Sequence, residues 1–197
     1  MPPSRLGVIV LGMHRSGTSV VSRLLNLLGL SPGPDADLVP PSDSNPAGHW
    51  ENASLNLVNQ RLLAALGGHA SAPPPLAEGW EAAPELERLR REAAALAGSV
   101  LAAEQWAWKD PRTCLTLPFW LRVLDVPVAA VLVRRHPLEV ARSLEARDGR
   151  PLGTEIAARA PRQEIGVALD HGERRLEIVR DGVQKGLALP DRGMELR

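Results

Sequence analysis

The chain has no tyrosine, one phenylalanine and a single cysteine in 197 residues. One thiol cannot close an internal disulfide, so burial and hydrogen bonding have to hold the fold, and a reducing cytoplasm is the expected setting. With so few aromatic rings beyond five tryptophans, the core has to come mainly from Leu, Val and Ala. No apolar run is long enough to cross a bilayer. The stretch from Leu6 to Met13 stops at His14 and Arg15, so neither a membrane span nor an export signal is expected. Neither sign of charge is in excess: Lys plus Arg and Asp plus Glu number 23 each. That balance excludes non-specific attraction to nucleic acid or membrane as an organising principle, and any anion site must be local. Cys and His show no metal-ligand spacing, and no repeat of fixed period is visible.

What the chain does have is GMHRSGTS, from Gly12 to Ser19, between the apolar run Leu6–Leu11 and an amphipathic segment beginning at Thr18. This reads as strand, glycine loop, helix. Such a junction attracts phosphate or sulfate, because the first helical turn leaves backbone N–H groups unpaired and concentrates partial positive charge. Gly12 and Gly17 allow a tight fold around the anion, and Arg15 adds a planar fork of donors. The spacing is that of the phosphate loop G-x-x-x-x-G-K-[ST], except that Thr18 stands where the lysine belongs. The lysine normally reaches the β- and γ-phosphates, so its loss argues against ATP chemistry.

The remaining pattern is that of an α/β domain. A helix is predicted from Thr18 through Val20, Val21, Leu24, Leu25, Leu27 and Leu28 to a stop at Gly29. Residues 31–48 carry five prolines and read as a long surface loop, ending in GHWEN. A second helix is expected through Leu55, Val58, Leu62, Leu63 and Leu66, closed by Gly67 and Gly68. A third, from about Glu85 to Ala103, has Glu and Arg spaced as a solvated face. After a short apolar approach, the polar turn KDPR leads into a helix over about Leu115–Leu124. Val126–Val133 reads as a second buried strand, and Pro137 opens a helix containing Val140 and Leu144. Beyond Gly149 only Ile156–Ala160 and Leu176–Val179 suggest a helix and a strand. Cys114 and Trp106, Trp108 and Trp120 read as core filling, as does Trp50.

The junction after the second strand reads VRRHPLEVARS, so basic residues again meet a helix start. In sulfotransferases that use 3′-phosphoadenosine-5′-phosphosulfate (PAPS), a very similar R-x-x-x-x-V-x-x-S binds the 3′-phosphate, and Arg135, Val140 and Ser143 match it. HRSGTS likewise resembles their 5′-phosphosulfate loop. Over residues 6–149 the chain resembles a bacterial member of this family. The resemblance implies a phosphate-loop NTPase-like, three-layer fold with a parallel β-sheet flanked by helices. It implies a nucleotide-binding domain over 1–149 and an atypical tail over 150–197, part of that domain or appended to it. The family's late Tyr-Glu-Asp-Leu-like element has no counterpart here.

On this resemblance His14, Arg15, Ser16, Gly17, Thr18 and Ser19 hold the 5′-phosphosulfate, Arg135 and Ser143 the 3′-phosphate, and Lys109 faces the transferred group. Arg15 contacts the bridging oxygen as charge develops there, which needs no metal. Glu51 resembles the loop-to-helix glutamates that deprotonate the acceptor; the same residue also suits a plain partner for the helix dipole, and His49 is the other candidate base. The implied activity is transfer of the PAPS sulfuryl group to a hydroxyl or amine of a carbohydrate, lipid or small molecule. Two alternatives stand beside it: a nucleotide-binding module that has lost catalysis, and a phosphate-loop kinase or NTPase with Asp110 as its magnesium ligand.

Overall fold

The structure is a computed structural model that describes residues 5–149 and, as backbone, three further strands between 166 and 188. Its centre is a parallel three-stranded sheet in the order β2-β1-β3, from β1 (Leu6–Leu11), β2 (Gln105–Lys109) and β3 (Val128–Leu132). The expectation of a parallel sheet flanked by helices holds for these residues. Ile9 stands beside Trp108 and Ala130, and Gly7 beside Trp106 and Val128. That face packs on the helices α2 (Ala53–Ala65), α3 (Glu87–Val100) and α4 (Thr113–Val123), through Leu55, Leu62, Ala93, Leu117, Phe119 and Trp120. Gly7 is required there: a Cβ would lie 2.1 Å from the Trp106 ring.

The opposite face carries Val8, Val10, Ala107 and Lys109 and turns toward α1 (Thr18–Leu27). α1 ends as its sequence predicts. Gly29 adopts φ 98°, and the amides of Gly29 and Leu30 return to the carbonyls of Asn26 and Leu25. α2 closes in the same way at Gly67 and Gly68. α3 is shorter than expected, because Pro84–Leu86 forms a separate 3₁₀ turn before it. Its outer face carries the Arg88–Glu92 and Arg90–Glu87 pairs, while Leu89, Ala93, Ala97 and Val100 face inward.

Three expectations are corrected. Gln105–Lys109 is a full strand rather than a mere apolar approach; its five residues are bounded by Glu104 and the KDPR turn, leaving too little pattern to read locally. β3 is only half-buried along its length, unlike β2 at the other edge of the sheet, which is buried from Trp106 to Lys109. The apolar stripe of α1 does not face the core: Val20, Leu24, Leu27 and Leu28 are exposed, and Thr18 and Ser22 are its buried residues. After β3, α5 (Pro137–Asp148) begins at the expected proline. In the tail, β4 (Gly166–Leu169), β5 (Arg175–Arg180) and β6 (Val183–Ala188) form an antiparallel meander, and β5 takes in the strand expected at Leu176–Val179. The helix expected at Ile156–Ala160 lies outside the described residues. No helix among the described residues is long and apolar enough to cross a membrane.

Candidate functional site

The loop from Gly12 to Ser19 is built around its two glycines. At Gly12 (φ 154°) a Cβ would stand 2.7 Å from both the Thr18 methyl and the Val133 carbonyl, so any side chain collides with backbone. Gly17 caps α1 in the left-handed region, and the space where its Cβ would be is open. The Ser16 amide and hydroxyl both donate to the Met13 carbonyl, at 3.2 and 2.6 Å, closing the loop on itself. Among the described residues, the backbone N–H groups of His14, Arg15, Gly17, Thr18 and Ser19 have no acceptor. These donors beside an open glycine form a cradle for an anion. Gly12 N–H is not part of it, because it donates to Cys114 Sγ at 3.1 Å. Burial pushes that thiol up to about 11, so Cys114 is inert packing at the base of the loop.

Arg15 is the only residue of the loop other than glycine at positive φ (65°). Its Nε donates to Ser143 Oγ at 2.9 Å, its Nη1 to the Ser44 carbonyl at 2.9 Å, and its own carbonyl accepts from Arg135 Nη1 at 2.9 Å. The two motifs recognised in the sequence therefore meet at one residue. Arg135 and Ser143 both reach Arg15 from opposite ends of the first turns of α5. Arg135 remains exposed and also pairs with Glu139 at 3.1 Å. Ser44 and Asn45 were not singled out in the sequence. The proline-rich loop brings them over the cradle, where Asn45 Nδ2 donates to Ser19 Oγ at 3.2 Å.

Beneath the loop lies a buried charge couple. Lys109, at the end of β2, is 2% exposed, and its Nζ donates to Glu51 Oε1 at 2.5 Å and to Ser19 Oγ at 3.2 Å. A cation from the neighbouring strand thus reaches the loop that lacks its own lysine. Glu51 precedes the helix rather than starting it: Asn52 is the N-cap, accepting from the Leu55 amide at 3.0 Å. Trp50, at φ 57°, turns the chain into this position and stacks under Arg23 at 4.4 Å, so it is not core filling. His49 instead meets Ser42 within the loop at 2.9 Å. His14 is held below the usual imidazole range by burial, against the opposing pull of Glu51.

Asp110 is fully buried, and burial raises its carboxyl above the usual range. Arg112 occupies its Oδ1 through the amide (2.9 Å) and guanidinium (3.0 Å), and Asn59 Nδ2 occupies Oδ2 at 2.8 Å. Asn59 Oδ1 in turn accepts from Thr116 and from the Trp120 indole, at 2.7 and 2.8 Å. Asn59 and Asn56 were missed in the sequence. A signal for them exists: Asn52, Asn56 and Asn59 recur at i, i+4, i+7 between Leu55, Val58 and Leu62. Elsewhere, a groove lined by Arg5, Arg90, Trp106 and Arg122 opens near the starts of the strands, but Glu87 and Glu81 already pair with Arg90 and Arg122. In comparison with known proteins, the chain matches no family model, no curated protein and no solved structure.

Proposed function

We propose that the chain is a PAPS-dependent sulfotransferase with a fold like that of the phosphate-loop sulfotransferases, acting on a hydroxyl or amine of a carbohydrate, lipid or small molecule. The observation that carries this reading is the convergence of Arg135 and Ser143 on Arg15. A nucleotide with phosphates at both the 5′ and 3′ positions needs two adjacent anion sites, and here the two candidate sites share a side chain. A nucleoside triphosphate does not need the second.

On this reading the free N–H groups of the loop bind the 5′-phosphosulfate, and Arg135 with Ser143 binds the 3′-phosphate. The acceptor oxygen attacks sulfur, and the bond from sulfur to the bridging phosphate oxygen breaks. That oxygen leaves with the electron pair as 3′-phosphoadenosine-5′-phosphate, its new charge met by Arg15. Lys109 faces the sulfuryl oxygens, and Glu51 takes the acceptor proton. The kinase alternative loses support from Asp110, because both of its oxygens already accept hydrogen bonds from Arg112 and Asn59.

Calorimetric titration with 3′-phosphoadenosine-5′-phosphate, and separately with ATP and magnesium, tests the reading. Selective binding of the former is expected. Preference for ATP overturns it, and selective binding without turnover of PAPS in an acceptor screen identifies the module that has lost catalysis.

A further inference from the structure

Each of the three buried asparagines of the α2 segment answers a different question. Asn52 caps the helix through Oδ1 and leaves its Nδ2 buried without a partner, and Asn59 ties α2 to α4 with both ends of its amide satisfied. Asn56 is different. It is 6% exposed; its Nδ2 donates to Glu51 Oε2 at 2.7 Å, while its Oδ1 is buried without a partner.

The penalty of leaving a buried carbonyl oxygen unpaired offsets roughly what a hydrogen bond to a charged group returns. Asn56 therefore adds little to stability, and an apolar side chain of similar size would fill the space without that cost. What it does accomplish is local. A glutamate has three rotatable bonds, and Lys109 holds one of its carboxylate oxygens; a second donor on the other oxygen fixes the plane of the group. We propose that Asn56 is a positioning residue, holding Glu51 Oε2 so that Oε1 stays directed at Lys109 and, through Lys109, at Ser19 of the phosphate loop. The charged and titratable groups around Glu51 are Lys109 and Asp110 from the β2 end and His14 from the loop. None of them touches Oε2 among the described residues, which leaves that oxygen to Asn56. The catalytic consequence rests on the sulfotransferase reading; the geometric one does not.

Asn56→Leu removes the donor and keeps the volume. A crystal structure of this variant is expected to show the Glu51 carboxylate turned out of contact with Lys109 or spread over several rotamers. Transfer from PAPS should fall by about tenfold or more in kcat, with the KM for PAPS within about twofold of the parent, since orientation rather than nucleotide binding is lost. Asn56→Ser, which keeps a donor, should recover part of kcat. A Glu51 that keeps its rotamer and its contact with Lys109 in Asn56→Leu overturns the proposal, whatever the rate. If the parent chain turns over no PAPS, the sulfotransferase reading fails and the rotamer alone decides the role of Asn56. Should Asn56→Leu not fold, Asn56→Asp, near in shape but unable to donate when ionised, is judged by the same rotamer criterion.

Discussion

Arg135 holds its exposed guanidinium against the Arg15 carbonyl, a contact that orients it without burying it. Arg135→Ala should therefore leave folding intact and weaken binding of 3′-phosphoadenosine-5′-phosphate by about 10–100-fold, the worth of a charge-assisted contact. Binding of the same nucleotide without its 3′-phosphate should barely change; calorimetry of the two ligands distinguishes a 3′-phosphate role from a general loss. Glu51→Gln tests the base. It keeps the shape of the side chain beside Lys109 and Asn56 but cannot take a proton, so turnover should drop by about 10²–10⁴-fold with nucleotide affinity retained. Unchanged turnover assigns the proton to another group. Both residues were legible in the sequence, because each sits at a boundary where loop chemistry and helix start coincide. Asn56 was missed: its spacing with Asn52 and Asn59 marks a polar stripe, but only the fold shows that its amide meets Glu51.

At the scale of elements, α2 and α4 are joined by the Asn59 amide, which serves Asp110, Thr113, Thr116 and Trp120 at once. Asn59→Ala strands a buried carboxylate oxygen and an indole N–H. The expected loss is about 3 kcal/mol or more, a fall in Tm of roughly 6–12 °C for a chain of this size, readable by calorimetry. A change below about 1 °C would mean that the network relaxes around the gap. Helix ends were readable locally: glycines at 29 and 67 and proline at 137 act within one turn, through φ alone. Helix orientation was not. The leucines of α1 have helical spacing whichever way the helix turns, and only the sheet decides that Thr18 and Ser22 face inward.

For the whole molecule, His14 and Asp110 set opposite trends with pH. Burial holds His14 below its ordinary value of 6.5. The unfolded chain therefore takes up that proton first, and the stability contributed by the neutral ring is lost as pH falls from 6.5 through the folded-state value. Asp110 is raised above 3.8 by burial, so its ionised form is disfavoured in the fold and the penalty is relieved as pH falls through its folded-state value. Thermal midpoints measured between pH 7.5 and 5 should fall less in His14→Gln than in the parent chain once the pH drops below 6.5. Equal slopes would place the imidazole in water.

The sequence by itself determined the glycine loop, the second strand-to-helix junction, the helix ends at Gly29, Gly67 and Pro137 and the α/β class, because each depends on dihedral preferences and apolar periods within a few residues. Only the tertiary structure decided that Gln105–Lys109 pairs with β1, that Lys109 meets Glu51 across 58 positions, and that Ser143 meets Arg15 across 128. Those contacts depend on the register of parallel strands. Parallel strands are joined by crossovers rather than hairpins, so no local signal reports which residues arrive side by side.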